Sequence, residues 1–279
     1  MKLVKIPPPG TFCFHEAVLD LLNDVKIVEA NENKVRFVEV GCGAGDLSAI
    51  LLKQGFQGMG VDFSSSAIAI ASENLEEPIS NGNYELLEGD IMLPENVVKH
   101  RNSFNLALSM MVMEHVEDDT QFVKNLADLV MSDGMVMLAV PGRMDRWSIE
   151  DDTVGHLRRY ENHDLQTVME KAGLEDVTVW SVAVPVANIL FKLGNFLVKN
   201  SKEVEKVNTS MREQTEMSGI REIPFKTVFP RCFRLILNKV TLYPLFVLQR
   251  LFYRSNLGLT MLAVGKVAAK GEKRAENDK

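Results

Sequence analysis

Apolar and polar positions along the chain switch repeatedly between a helical period and short apolar runs. From Phe14 to about Val28, apolar residues recur at Ala17, Val18, Leu21, Leu22 and Val25, which is the stripe of an amphipathic helix. Before it stand Pro7, Pro8, Pro9 and Gly10, which predict a stiff, non-helical lead-in. Val35–Val40 is a β-branched run that stops at Gly41 and predicts a buried strand. The alternation continues with a helix over Asp46–Gln54, a strand over Gln57–Asp62 and a helix over Ser64–Leu75, whose serines can cap its first turn. Tyr84–Gly89 and Phe104–Ser109 predict two more strands, with a weak helical segment after Pro94 between them. Asp119–Met131 is an amphipathic helix stopped by Gly134, and Met135–Val140 a strand ended by Pro141.

Strands and helices alternating at this pace predict an α/β, Rossmann-like, mostly parallel sheet of seven strands with helices on both faces. Beyond Pro141, a charged loop runs from Gly142 to Glu161, and Asn162 can cap a helix ending at Gly173. Leu174–Val184 reads as a strand. The rhythm then breaks. Val186–Val198 has helical spacing, Lys199–Glu222 is polar and expected to be mobile, and Phe225–Tyr253 is apolar but interrupted by Pro230 and Pro244. Leu257–Val267 reads as a final strand. These features divide the chain into an N-terminal lid or helix (1–34), a core (35–182), a helical insertion before the last strand (183–256), that strand (257–267) and a tail expected to be disordered (268–279).

Charge and cysteine content narrow the class. A formal net charge of −7 argues against a general nucleic-acid binder, which needs basic surface to displace phosphate counterions. Cys13, Cys42 and Cys232 are odd in number and far apart, so neither a disulfide framework nor a metal-ligand cluster is expected. The N-terminus lacks a signal-peptide core, and no apolar run approaches the roughly 18 residues of a spanning helix. These features predict a cytoplasmic chain.

The strongest chemical signal is the run from Phe37 to Gly45, in which Glu39 precedes Gly41, Gly43 and Gly45 at alternate positions. A strand ending in such a turn lets backbone approach a nucleotide-like ligand where a Cβ would collide. Dinucleotide sites want G-x-G-x-x-G with a pyrophosphate on the helix N-terminus. Here Asp46 follows the last glycine and would repel a pyrophosphate, which favours a ligand without phosphate.

These residues resemble the first motif of the class I S-adenosylmethionine-dependent methyltransferases. The resemblance continues in order over about residues 35–182. Asp62, followed by Phe63, ends the second strand, where a carboxylate can accept from both ribose hydroxyls; Asp62 could equally cap the helix that follows. Asp90 and Ile91 end the third strand, and the resemblance implies that Asp90 accepts from the adenine amino group while Ile91 packs on the ring. Ser109 to His115 is similar to the family's segment after strand four, with Met113 replacing a leucine and Met110 placed beside the cofactor. For Glu114 and His115 a structural role is favoured over a catalytic one. The family's Pro-Pro-aromatic signature of base and amide methylation is absent after this strand, so that nitrogen chemistry is not expected.

The acceptor side is read from Gly155-His156-Leu157-Arg158-Arg159-Tyr160, which resembles a pattern in small-molecule methyltransferases. His156 is the candidate general base, with Tyr160 beside it, and Arg158 or Arg159 could bind an acidic group of the substrate. The alternative is a loop anchor, with Arg159 paired to Glu161 or Asp151. His15 is a weaker candidate. No metal site is expected. The insertion, apolar and basic in its later half, suggests a greasy substrate tunnel or contact with anionic lipid, against a helical cap or a homodimer interface. The resemblance therefore implies methyl transfer from S-adenosylmethionine to an oxygen or carbon of a small, lipophilic or acidic acceptor. Rivals are a catalytically silent binding protein and an NAD(P)-dependent oxidoreductase.

Overall fold

The computed structural model describes residues 3–30, 35–202, 204 and 223–269. Most of the stretch expected to be mobile and nearly all of the tail therefore lie outside the described residues. In chain order the elements are β1 (Leu3–Lys5), α1 (Pro9–Asp24), α2 (Ile27–Ala30), β2 (Arg36–Val40), α3 (Asp46–Lys53), β3 (Gln57–Asp62), α4 (Ser65–Asn74), α5 (Glu76–Ser80), β4 (Tyr84–Glu88) and α6 (Pro94–Val98). They continue with β5 (Phe104–Met110), α7 (Asp119–Leu129), β6 (Val130–Pro141), α8 (Ile149–Val154), α9 (Asn162–Lys171), β7 (Leu174–Val182), α10 (Val186–Lys199), β8 (Val228–Pro230), α11 (Lys239–Arg250) and β9 (Thr260–Val267).

Seven strands form one sheet in the order β4-β3-β2-β5-β6-β9-β7. The pairs among β4, β3, β2, β5 and β6 are parallel, and β9 runs antiparallel to both β6 and β7. This is the expected α/β architecture. The period of two along each strand divides the core: Val38 and Val40 join one buried cluster with residues of α7 and α9, while Phe37 joins another with residues of α1 and α3. The chain steps outward from β2 to β3 and β4 and then crosses back to β5 on the other side of β2, and the crevice at that reversal is where such sheets bind ligands.

Several local expectations are corrected. The prolines do not keep the helix from starting: α1 begins at Pro9, where a missing N–H costs nothing because first-turn donors have no helical partner. The helix α7 stops at Leu129, and β6 begins at Val130, five residues before the expected strand. Gly134 is no stop; it lies where β6 bulges against β5, and a Cβ there would lie 2.7 Å from the Asn105 carbonyl. Glu161, not Asn162, is the N-cap of α9. Pro244 lies inside α11 without ending it.

The insertion is docked rather than separate. Leu242 and Phe246 of α11 pack with Cys13, Ala183 and Val186. Buried Gln249 bridges elements, accepting from Ala183 N at 3.2 Å and donating to Cys13 O at 2.9 Å. Tyr253 stacks on Trp180 of β7 at 4.3 Å between ring centroids and donates to Asp20. The pairing of β1 with β8, Leu3 opposite Pro230, ties the N-terminal segment to the same insertion.

Candidate active site

A cavity of 1240 Å³ opens at the carboxyl ends of β2, β3 and β5 and runs under α1, α10 and the segment 225–237. Its floor is the glycine turn. Gly41, Gly43 and Gly45 all have positive φ, which side-chain-bearing residues adopt at a cost. Gly41 also has no room: a Cβ would lie 2.2 Å from Val112 Cγ2. Gly41 and Gly43 line the cavity, whereas Gly45 is the N-cap of α3 and faces Leu75 and Ala71.

Asp62 organises this turn. One carboxylate oxygen accepts from Gly43 N and the other from Ser64 N, both at 2.9 Å. A carboxylate has about four acceptor positions, so two remain for a diol in the cavity that Asp62 lines. The cap of α4 is Ser64, which accepts from Ala67 N, and Asp62 supports it from two residues further back through Ser64 N. Phe63, Asp90, Ile91 and Met110 line the same cavity. Asp90 Oδ1 accepts from Met92 N at 2.8 Å, which fixes the carboxylate where strand β4 gives way to its loop.

Glu39 does not reach the cavity. It is buried behind the turn, accepting from Ser48 Oγ at 2.5 Å, and Ser48 in turn meets the Tyr84 hydroxyl at 2.7 Å. Burial, against the Ser48 hydrogen bond, pushes its carboxyl up to about 8. Its role is therefore to hold α3 and β4 against the glycine turn.

Opposite the cofactor-side residues, α8 presents a polar cluster. Asp151 is fully buried and accepts from the Arg159 guanidinium through two bonds of 2.8 and 3.0 Å and from Ser148 N at 2.8 Å. Its Oδ1 also lies 2.8 Å from His156 Nδ1. Burial alone would raise this carboxyl, but the hydrogen bonds from His156 and Arg159 outweigh it and hold Asp151 down at about 2. An ionised Asp151 accepts the Nδ1 proton, so Nε2 of the neutral ring is the free base. His156 lines the cavity, as does His115, whose ring meets it edge-on at 4.9 Å. Burial and the neighbouring His156 drive His115 down to about 4, so one imidazole of the pair is kept neutral. Glu114 Oε1 lies 3.6 Å from His156 Nε2. Burial, aided by Asp151, raises Glu114 to about 8.

The structure separates the other expected residues from this centre. The Tyr160 ring is buried in the core, and its hydroxyl donates to Asp119 at 3.1 Å. Arg158 donates to the same carboxylate at 3.0 Å and to Glu117 O at 2.9 Å. Neither lines the cavity. Arg159 does, yet its guanidinium is spent on Asp151 and Gly142 O, which makes it a positioning residue rather than an open anion site. His15 also lies outside the lining, beside Phe14, which is in it. The expected alternative, Arg159 paired to Asp151, is what the structure shows, while the contact of His115 with His156 is not foretold because helix α8 and the turn after β5 meet only in the fold. The same meeting brings ligand-type atoms of Glu114, His115 and His156 within 4.8 Å of one another, a grouping that sequence spacing does not foretell.

A family model for the methyltransferase domain matches residues 14–179, and the chain belongs to that family. Its cofactor is S-adenosylmethionine, and the residues present fit it: a turn of three positive-φ glycines, two carboxylates lining the cavity beside it, and, among the described residues beside that turn, no cluster of cations for phosphate. Among relatives, a Coxiella burnetii ubiquinone biosynthesis O-methyltransferase is 33% identical over 106 residues, 38% of this chain and 43% of that protein. The mitochondrial ubiquinone biosynthesis O-methyltransferase of Schizosaccharomyces pombe is 30% identical over 112 residues, 39% of this chain and 38% of that one. The matched region spans less than half the length of these relatives. Among solved structures, Haemonchus contortus phosphoethanolamine N-methyltransferase 2 with S-adenosylhomocysteine matches at TM-score 0.51 and 15% identity, covering 85% of this chain and 49% of that one, which shows the shared fold.

Proposed function

We propose that this protein transfers a methyl group from S-adenosylmethionine to a hydroxyl oxygen of a small, lipophilic acceptor. The observation that carries the reading is the shape and wall of the cavity. It exceeds the roughly 300–1,000 Å³ usual for a single small-molecule site, so a second molecule fits beside the cofactor. The wall away from the glycine turn is apolar, built from Leu190, Phe191, Leu197, Phe229 and Phe233 of the insertion. The names of the curated relatives agree with an oxygen acceptor.

The sulfonium cofactor supplies an already activated methyl group, so the chain's own residues have to bind, orient and deprotonate. Asp62 and Asp90 hold the donor side in register with the glycine turn. Apolar side chains of α10 and the segment 225–237 seat the acceptor and keep water out, which favours in-line approach. His156, oriented through Nδ1 by Asp151, accepts the hydroxyl proton at Nε2 as the new carbon–oxygen bond forms. Asp151 then stabilises the imidazolium. A phenolic hydroxyl suits such a base better than an aliphatic one, since its ordinary pKa is near 10. Glu150 and Lys226 pair across the cavity and join α8 to the insertion, which closes the acceptor side.

Mass-spectrometric screening of phenols of increasing chain length against the full chain tests the proposal. Methylated product confined to short, polar acceptors or to amines would contradict it.

A further inference from the structure

The insertion carries a surface that the proposed chemistry does not use. On α10 the exposed positions are Ile189, Lys192, Leu193, Phe196 and Lys199, spaced so that they form one stripe. On α11 the outward stripe is Val240, Tyr243, Val247 and Leu251, while Leu242, Phe246 and Gln249 face inward. Between the two helices Leu235 and Ile236 are also exposed. Surface helices of a free-standing protein normally turn polar faces outward. Here Ile189 is 73% exposed, Val240 85% and Leu251 80%.

The described residues of the insertion carry charge of one sign. Residues 183–202 and 223–259 contain nine lysines and arginines and no aspartate or glutamate, although the chain as a whole has a net charge of −7. Three of the nine are tied to acidic residues elsewhere: Lys226 to Glu150, Lys239 to Glu16 and Arg250 to Asp20. Lys192, Lys199, Arg231, Arg234 and Arg254 are exposed and make no ion pair among the described residues. Lys192 and Lys199 are part of the α10 stripe, and Arg231, Arg234 and Arg254 lie in the chain just before and after α11. Leu193 and Phe225 line the cavity and are 52% and 54% exposed, so its open end lies within this same apolar, basic surface.

We infer that this face docks the protein on an anionic lipid bilayer, with α10 and α11 lying in the headgroup boundary and the cavity mouth opening toward the acyl chains. The charge pattern selects this occupant. Apolar side chains flanked by unpaired cations match a hydrocarbon layer beneath negative headgroups. Among the described residues, a second copy of the chain would meet the face with its own cations, the acidic side chains that reach it being already paired to Lys226, Lys239 and Arg250. No helix among the described residues is long and apolar enough to cross a membrane, which agrees with lying on the surface. The inference stands on this surface alone and holds for either a lipophilic or a polar acceptor.

The test is sedimentation of the full chain with vesicles of phosphatidylcholine alone or mixed with phosphatidylglycerol, at low and high salt. Binding is expected to the anionic vesicles and to weaken with salt. Phe196→Asp and Val247→Asp, neither of which lines the cavity, should each weaken it about tenfold or more, because each places a charge where an apolar side chain inserts. Arg231→Gln and Arg234→Gln should each weaken it about fivefold. All four should keep the melting temperature and adenosylhomocysteine affinity of the parent, which separates loss of docking from loss of fold. Equal binding to both vesicle types, or anionic binding untouched by the four substitutions, would overturn the inference. So would a stable dimer in ultracentrifugation that Phe196→Asp or Val247→Asp dissociates without any vesicle binding by the parent.

Discussion

His156 Nδ1 lies 2.8 Å from Asp151 Oδ1, and the same carboxylate is clamped by Arg159. The two residues are five apart in sequence, joined across the end of α8, where Gly155 adopts a left-handed conformation that lets the chain turn back. An ionised Asp151 favours a proton on Nδ1, which leaves Nε2 as the atom that takes the acceptor's proton in the proposed mechanism.

Replacing His156 by alanine should lower turnover by about 10²–10⁴-fold and leave adenosylhomocysteine affinity within a factor of about two. Asp151→Asn should lower kcat by about 10²-fold or more, because the amide can leave the wrong ring nitrogen protonated. Steady-state kinetics with calorimetry checks both. A loss confined to KM would mean that the pair only shapes the pocket.

Asp62→Ala should weaken cofactor binding by roughly 1.5–3 kcal/mol, the range of charge-assisted hydrogen bonds. Part of this reflects the glycine turn, since Gly43 N and Ser64 N lose their acceptor. Unchanged calorimetric affinity in a folded variant would remove Asp62 from the site.

Gly194 of α10 faces the cavity with open space around it; a Cβ at this position would find its nearest neighbour, Lys226 Cε, 3.9 Å away. The Cβ of Gly194→Phe therefore meets no clash, and its ring is expected to occupy part of the acceptor region. It should cut kcat/KM for long-chain acceptors by about tenfold or more while sparing adenosylhomocysteine affinity. Equal losses for both ligands would place this part of the cavity on the cofactor side.

Stability should depend on pH through three buried groups. Burial raises Glu39 and Glu114 from an ordinary 4.5 to about 8, so between those values the folded chain keeps protons that the unfolded chain gives up. Stability then falls as pH rises, by up to about 1.4 kcal/mol per pH unit for each group. His115, lowered by burial from 6.5 to about 4, acts in the opposite sense: the unfolded chain takes its proton first, and stability rises with pH across that window. The net result is a decline in melting temperature from pH 6.5 to 8 that Glu114→Gln and Glu39→Gln each flatten. An equally steep decline in both variants would show that these carboxyls are ionised in the fold.

The features legible in the sequence are those written locally. Asp62 ends a strand and Gly41 and Asp90 stand one and two residues beyond strand ends, and strand ends on a parallel sheet share one edge, so spacing alone brings them together. Contacts between distant segments are not legible. His115 meets His156 because the turn after β5 packs on α8, and β1 finds β8 across more than two hundred residues. Tyr160 and Arg158 look like site residues beside His156, yet these two, alternate in sequence, share a side of the chain and both turn to Asp119, while Arg159 between them turns to Asp151. The early start of β6 is not legible either, because it rests on the pairing of Val130 with Phe104 across the bulge.

The central claim is tested most directly by supplying S-adenosylmethionine with an isotopically labelled methyl group to the full chain and a long-chain phenol, and locating the label by mass spectrometry. One labelled methyl is expected on the hydroxyl oxygen, with adenosylhomocysteine formed in equal amount and both lost in His156→Ala. Binding of the cofactor by calorimetry without label transfer to any hydroxyl acceptor, or transfer that His156→Ala leaves intact, would contradict it.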